Sequence, residues 1–454
     1  MVKTVKMKTK HMLLVVVGFV ALSTLGFMHW SRGQGLVIHE WGTFTSLQGS
    51  DGVPLKWNPL SSSHLPGFVY SWRRAGGGRL PTGLLALGPK SSLLTLQRLE
   101  TPVIYFYSDR QQTVDLSVHF PKGGITEWYP QASAIGPSII QPGQAITKLD
   151  SGLHALDASP AFTLASLDVG RNVNESLIEW QRLKVLPVGG ADKSTDLPKD
   201  NSGSHYFTAR NTDSAYVQVP SLGQPKRGSE LEKFLFYRGV GDFATPLNVS
   251  MESGDRVSLL NAGTHPISHL FILSIKGKSG SLIALDDLKP GQHTEAVLAS
   301  VQQLRPLDEL LVKIGGSMEH ALIAEGLFDR EAIAMVNTWK DSWFSEEGDR
   351  VLYLLPRAWT DEVLPMIVTP APKDLVRVMV GRAELITPET EKQLAAGIAS
   401  AKQNRQKAVK ELRPLAAQLG RFAEPAWDHA LSLAELPLED QAQLHGLLRA
   451  PSAN

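Results

Sequence analysis

The sequence predicts an α+β protein that is rich in β-strands and ends in helices. Three observations carry this prediction: short alternating apolar and polar runs between residues 36 and 313, 39 glycines and 28 prolines, and helical periodicity after residue 316. At 454 residues the chain is too long for one ordinary core. We therefore expect β-rich, sandwich-like N-terminal and middle domains and a C-terminal α/β and helical region, behind an N-terminal membrane helix.

The N-terminal segment indicates where the protein lies. Lys3, Lys6, Lys8 and Lys10 precede an uncharged apolar run over residues 12–28. Basic residues stay on the cytoplasmic side of a membrane, so we expect the rest of the chain to face the periplasm or exterior. The run has the minimum length of a spanning helix, and we favour an uncleaved signal anchor over a cleaved signal peptide.

Four segments are predicted along the chain. Residues 1–30 are a cytoplasmic stub and signal anchor, and residues 36–245 are a large β-rich domain. Residues 246–315 contain five short strand patterns with evenly spaced turns, which indicate a small immunoglobulin-like β-sandwich. Residues 316–454 form an α/β and helical C-terminal region.

The C-terminal region shows helix signals. Trp339 and Trp343 lie four residues apart in a predicted helix over residues 317–344, and they are expected on its apolar face. Thr387 followed by Pro388 predicts the start of a helix that continues to about Gly420.

Composition excludes several kinds of site. The sequence has no cysteine, so disulfides, a cysteine nucleophile and thiolate metal ligands are excluded. Lys+Arg and Asp+Glu are equal at 45 each, so charge gives no argument for a nucleic-acid partner. We predict no cofactor and no metal.

Several long motifs resemble one group of proteins. The segments "VIHEWGTFTSLQGSDG", "ETPVIYFYS", "ITEWYPQA" and "EKFLFYRGVG" resemble uncharacterised exported, membrane-anchored proteins of environmental bacteria. The resemblance covers roughly residues 36 to 391. It implies an extracytoplasmic location, and it transfers no catalytic residue because no activity is attached to the group.

A glutamate directly precedes a tryptophan at three places. The pairs are Glu40-Trp41, Glu127-Trp128 and Glu179-Trp180. Two such carboxylates ~5–9 Å apart would suit glycoside hydrolysis, so the three glutamates are candidate catalytic residues. In the alternative, which we favour, each tryptophan fills the core and each glutamate pairs with a basic residue at the surface.

Two histidines extend this candidate site. His39 and His119 lie on the expected polar faces of strands, close to Glu40 and Glu127 in their motifs. Adjacent strands would bring them into one cluster, whereas separate surface histidines are the simpler expectation. The candidate ligand-binding residues are His39, Trp41, His119 and Trp128.

The opening motif does not alternate cleanly. Strict alternation places Phe44 with Glu40, and it leaves Trp41 with the polar His39. Gly42 predicts a β-bulge that would turn both aromatic rings inward and aim His39 and Glu40 away from the core.

These observations favour a membrane-anchored, extracytoplasmic binding or envelope-assembly protein whose ligand is a polysaccharide or an envelope protein. The alternative is a hydrolase that acts on envelope or extracellular polysaccharide through paired glutamates. Convergence of two glutamates in a cleft would favour the enzyme.

Overall fold

The computed structural model describes residues 35–59, 65–71, 94–136, 175–220, 228–252, 255–434, 436–445 and 447–448. The predicted stub and signal anchor over residues 1–30 lie outside the described residues. Within the described part of the chain, no helix is both long enough and apolar enough to span a membrane.

The described residues contain twenty strands. In chain order they are β1 (Val37–Gln48), β2 (Pro54–Leu55), β3 (Tyr70–Ser71), β4 (Gln97–Tyr107), β5 (Gln112–Phe120), β6 (Gly123–Tyr129), β7 (Ala134–Gly136), β8 (Ser176–Val185), β9 (Val217–Val219), β10 (Glu230–Glu232), β11 (Leu235–Gly241), β12 (Leu247–Glu252), β13 (Arg256–Asn261), β14 (Ser268–Lys276), β15 (Ser279–Leu285), β16 (His293–Val297), β17 (Arg305–Pro306), β18 (Gly348–Leu355), β19 (Met366–Thr369) and β20 (Asp374–Leu385).

Within the described residues, seven α-helices follow the strand-rich part or separate its last strands. They are α1 (Leu307–Ala324), α2 (Asp329–Lys340), α3 (Arg357–Val363), α4 (Pro388–Gln403), α5 (Arg405–Leu419), α6 (Ala423–Leu433) and α7 (Leu438–Leu444). The α+β class predicted from the sequence is confirmed.

The strands of the described residues form three sheets. The large sheet has eleven strands in the order β17-β15-β14-β18-β20-β1-β4-β11-β6-β3, with β2 paired to β1. A second sheet has the order β10-β9-β8-β5-β19, with β7 paired to β8, and a third has the order β12-β13-β16. In the large sheet β1 pairs with β20 in parallel and with β4 in antiparallel orientation.

Both faces of the large sheet are buried. The first face packs against the second and third sheets through apolar residues such as Phe44, Val118, Trp180 and Val257. The second face packs against α1 and α2 through a separate cluster that includes Trp41 and Met335. The sheet is therefore the middle layer between β-sheets on one side and helices on the other.

The C-terminal helices form a third core. Helices α4 to α7 pack around Leu47, Leu55 and Trp57 from the end of β1 and the residues after it. Thr387 caps α4 by accepting a hydrogen bond from the backbone of Thr390, as predicted. The predicted single helix to Gly420 is wrong, because Asn404 ends α4 and its side chain caps α5.

The predicted segments share the large sheet. Strands from residues 36–245, from 246–315 and from 316–454 all belong to it. The five strands predicted within 246–315 form, but β14 and β15 join the large sheet while β12, β13 and β16 make the third sheet. The helix predicted over residues 317–344 is divided between α1 and α2 near Gly326, whose φ of 106° ends a helix.

Candidate functional site

The opening motif forms β1, and all twelve of its residues are buried. The predicted effect of a bulge at Gly42 is wrong, because Trp41 packs on the second face and Phe44 on the first. Pairing with β20 is continuous, and the extra residue lies on β4, where Thr101 and Pro102 stand opposite Gly42. A Cβ at Gly42 would lie 3.1 Å from the Pro102 Cα atom, so glycine allows the two backbones to approach.

Glu40 lies on the first face and is fully buried, contrary to the expectation that it points away from the core. Its carboxylate accepts hydrogen bonds from the Arg377 Nε atom and the Tyr237 hydroxyl, each at 2.6 Å. Burial and the Glu40 charge raise the pKa of Tyr237 well above its ordinary value, so the phenol stays protonated and donates. Glu40 therefore belongs to a buried ion pair.

His39 lies on the second face and is also buried, with 2% of its side chain exposed. Its Nδ1 atom is 2.7 Å from a carboxylate oxygen of Glu331 on α2. The same carboxylate accepts hydrogen bonds from the Tyr107 hydroxyl at 2.7 Å and from the Phe328 backbone at 2.8 Å. The Glu331 carboxylate thus connects His39 on β1 and Tyr107 on β4 to the start of α2.

The remaining predicted residues are dispersed. His119 is half-buried on β5, and its backbone N–H donates to the Pro365 carbonyl. Glu179 is half-buried on β8, which pairs with β5 in the second sheet. The three tryptophans that follow the glutamates fill the core: Trp41, Trp128 and Trp180 are at most 4% exposed.

The paired-glutamate geometry is not formed by these candidates. Glu40 faces the second and third sheets, whereas Glu127 on β6 precedes the first-face residue Trp128 and so faces the opposite side. Strands β4 and β11 also separate Glu40 from Glu127, which places their strands ~14 Å apart. The structure does not bring His39, Glu40, His119 and Glu127 into one pocket.

A different group of charged residues lies on the second face of the large sheet. It is separate from the apolar cluster that packs against α1 and α2. We call it the arginine row, and its members are Arg98 on β4, Arg238 on β11, Arg350 on β18, Arg382 on β20 and Arg421 in the turn before α6. The four strand arginines are at most 5% exposed. Buried arginines are rare unless they are paired, so this row requires a chemical explanation.

The pairing of neighbouring strands brings Arg98 and Arg382 to the same face of the sheet. Thr45 of β1 stands between Arg98 and Arg382, its partners on the two neighbouring strands. The extra residue on β4 near Thr101 reverses the alternation of that strand, so Arg98 and Glu100 share the face of Thr45. The bulge is therefore the local feature that brings charged side chains of β4 to this face.

Glutamates neutralise part of the row. The Glu100 carboxylate lies 3.4 Å from the Arg98 Nε atom and 3.2 Å from the Arg421 Nη1 atom. Although burial raises it, these arginines together with Arg382 and Arg238 lower the pKa of Glu100 to about 2. Glu384 accepts hydrogen bonds from the Nε atoms of Arg350 and Arg382.

The charges of the row are compensated unevenly. Although burial lowers it, Glu384, Glu346 and Glu100 raise the pKa of Arg382, so this guanidinium is well compensated. The opposite holds for two other arginines. Burial and the nearby Arg238 charge lower the pKa of Arg98 to about 9, against partial compensation by Glu100. Burial likewise lowers the pKa of Arg350. A lowered pKa means that the surroundings destabilise the charged form of the guanidinium. An anion placed beside the group would stabilise that charged form.

Several polar atoms of this face have no hydrogen-bond partner among the described residues. They are the Arg382 Nη1 and Arg421 Nη2 atoms and the hydroxyls of Thr43 and Thr45, and all four are buried. An unpaired buried donor costs ~1–3 kcal/mol. Oxyanions are the natural acceptors for guanidinium groups, so the arrangement can bind an acidic ligand.

The sequence contained a signal for this row that the motif reading missed. Arg98 and Glu100, and likewise Arg382 and Glu384, stand at alternate positions of strands that are rich in apolar residues. Charged residues at alternating positions of a buried strand would have marked a polar strip on one face. Among the described residues, no three His, Asp or Glu side chains are grouped so as to hold a metal ion.

Comparison with known proteins does not identify a family. No family model matches the chain, and no curated protein matches it. Solved structures that match include the Mu homology domain of Fcho1 from Danio rerio with a bound Eps15 peptide, at 7% identity and a TM-score of 0.27, covering 78% of this chain and 98% of that chain. The yeast delta-COP-I mu-homology domain matches at 8% identity and a TM-score of 0.23, covering 78% of this chain and 96% of that chain. These TM-scores support no conclusion about fold or function.

Proposed function

We propose that the chain is a membrane-anchored, extracytoplasmic binding protein whose ligand is acidic. The observation that carries the proposal is the arginine row, where the Arg382 Nη1 and Arg421 Nη2 atoms and the nearby Thr43 and Thr45 hydroxyls are buried without a hydrogen-bond partner among the described residues. The location is supported by the four lysines that precede the apolar run over residues 12–28.

Binding fits the geometry better than paired-glutamate hydrolysis. Glu40 is held by Arg377 and Tyr237, and Glu127 lies on the other face of the same sheet. Glycoside hydrolysis needs two carboxylates that flank one bond. The arginine row instead supplies fixed positive groups on rigid strands, which is the arrangement that binds carboxylates, sulfates or phosphates.

The ligand class follows from the location and the site together. Acidic polymers of the cell envelope or its surroundings carry repeated carboxylate, sulfate or phosphate groups that guanidinium groups recognise. The whole chain has equal numbers of acidic and basic residues, so attraction would come from this local site and not from net charge.

A binding experiment tests the proposal. The full-length chain in detergent is titrated with dextran sulfate, with alginate and with neutral dextran. We expect one or both acidic polymers to bind and dextran not to bind. Arg421→Gln should weaken acidic-polymer binding by about tenfold or more, because it removes a charge-assisted donor. The matched control is Arg256→Gln, an exposed arginine of the third sheet paired with Glu295, which should bind as the wild type does.

Equal affinity for acidic and neutral polymers, or full retention of binding in Arg421→Gln, would contradict the proposal. Location is tested separately by protease treatment of intact spheroplasts. Digestion of the bulk of the chain is expected, and its protection would place that bulk on the cytoplasmic side.

A further inference from the structure

We propose that the arginine row binds a tetrahedral oxyanion, the charged group of a phosphate or a sulfate, which displaces the Glu346 carboxylate from Arg382. This inference rests on the proposed function, and it adds the class of the anionic group and the internal group that the ligand replaces. It follows from the hydrogen bonds of the Arg382 guanidinium, whose three nitrogen atoms are not equally satisfied.

Arg382 is fully buried, yet only part of its guanidinium is satisfied. The Nε atom donates to Glu384 at 2.5 Å, and the Nη2 atom donates to Glu346 at 2.6 Å. The Nη1 atom has no hydrogen-bond partner among the described residues. A ligand that accepts from both Nη atoms would complete a bidentate contact, which is the stronger arrangement for arginine.

Glu346 is the replaceable partner. Its side chain is 48% exposed, whereas the Glu384 side chain is 7% exposed. The Glu346 backbone carbonyl accepts a hydrogen bond from Arg350 at 2.8 Å, so the main chain is held while the carboxylate stands half in solvent. Because the carboxylate is half exposed, it can turn into water, and an incoming oxyanion would replace its charge beside the buried Arg382 guanidinium.

Further donors surround the same place. The Thr45 hydroxyl lies on the strand next to Arg382, and Arg421 adds an Nη2 atom from the turn before α6; both atoms are buried and lack a partner among the described residues. These donors come from two neighbouring strands and from a turn, and the Arg382 Nη2 atom released by Glu346 would be a further donor. A planar carboxylate offers two oxygens, whereas a tetrahedral oxyanion offers up to four in different directions. The donor set therefore favours phosphate or sulfate.

The electrostatics agree with this assignment. The Glu100 carboxylate lies 3.4 Å from the Arg98 Nε atom and 3.2 Å from the Arg421 Nη1 atom, and the Arg382 charge also lowers its pKa, so the three arginines share one region of this face. Burial and neighbouring positive charge lower the pKa of Arg98 to about 9. An added dianion would oppose that effect and favour the charged form of Arg98.

Calorimetric titration of the full-length chain in detergent tests the inference. The probes are inorganic phosphate, sulfate and acetate at one fixed ionic strength. We expect saturable binding of phosphate and sulfate, at least about tenfold weaker binding of acetate, and competition between phosphate and dextran sulfate. Glu346→Gln should bind phosphate about two- to fivefold more tightly, because the internal competitor has lost its charge. Arg421→Gln should bind it at least about tenfold more weakly, and Arg256→Gln should be unchanged.

The possible failures are distinct. Absence of saturable phosphate and sulfate binding, or acetate binding as tight as phosphate, overturns the tetrahedral oxyanion. Unchanged phosphate affinity in Glu346→Gln overturns the displacement. In each case, binding of an acidic polymer that depends on Arg421 would leave the proposed function standing. If no acidic polymer binds through Arg421, the proposed function fails as well.

Discussion

Substitution of Glu40 by glutamine tests whether the opening motif is structural. In the wild type the Glu40 carboxylate accepts hydrogen bonds from Arg377 and Tyr237, and the Arg377 side chain is fully buried. The introduced amide would keep the shape of the side chain but remove its charge and place an N–H donor close to one of these donors. Arg377 would then keep the Leu364 carbonyl as an acceptor and Asp361, which is 45% exposed, as a carboxylate partner.

The magnitude follows from this imbalance. Removing one partner of a buried ion pair costs ~3–5 kcal/mol, and the remaining contact to Asp361 places the expected loss near ~3 kcal/mol. Adding Arg377→Met removes the stranded charge. The double variant should therefore be less destabilised than the sum of the two single variants, by ~1 kcal/mol or more.

The assay is urea unfolding followed by tryptophan fluorescence, with stability compared through the midpoint and the slope. Glu179→Gln is the matched control, because Glu179 is half-buried on the second sheet; its change should stay within ~0.5 kcal/mol. If Glu40→Gln also changed stability by less than ~0.5 kcal/mol while abolishing polymer binding, Glu40 would be a ligand-binding group and the structural interpretation would be refuted.

Three further predictions concern other parts of the fold. Trp339→Ala should destabilise the chain by ~3–5 kcal/mol in the same assay, because Trp339 is 4% exposed; a change under ~0.5 kcal/mol would contradict its place in the core. Glu331→Ala should cost ~3–5 kcal/mol, since it strands buried donors including His39, and a thermal midpoint equal to wild type would refute this. The pKa of Glu100 is about 2, below its ordinary value of 4.5, so its contribution is complete above pH 4.5 and lost as pH falls toward 2. Thermal midpoints measured across this range should therefore fall less steeply in Glu100→Gln than in wild type, and equal slopes would contradict the assignment.

Local patterns were readable from the sequence. The alternating runs expected between residues 36 and 313 include β5, where Val114, Leu116 and Val118 are buried and their neighbours are more exposed. The cap at Thr387 was likewise predicted from adjacent residues. Such features depend on chemistry within a few positions of the chain, so one sequence is sufficient to find them.

Features that depend on distant pairing were not readable. Glu40 and Arg377 are 337 positions apart, and His39 and Glu331 are 292 apart. The irregularity at Gly42 was expected on β1, but the extra residue lies on β4. Because both faces of β1 are buried, its hydrophobic pattern does not reveal which side chains face the sheets and which face the helices.

The candidate site was missed for the same reason. Arg98 and Arg382 are separated by more than 280 positions in the sequence, and only strand pairing on the two sides of Thr45 brings them to one face. Motif reading gave weight to residues that are adjacent in sequence. The site is built from residues that are adjacent across strands.

The most direct measurement is a crystal structure of the full chain with selenate, a tetrahedral oxyanion whose anomalous scattering locates it. We expect one selenate that accepts hydrogen bonds from the Arg382 Nη1 and Nη2 atoms, the Arg421 Nη2 atom and the Thr45 hydroxyl, with the Glu346 side chain turned into solvent. Ordered waters on those donors at saturating selenate, with Glu346 still bound to Arg382, would contradict the account.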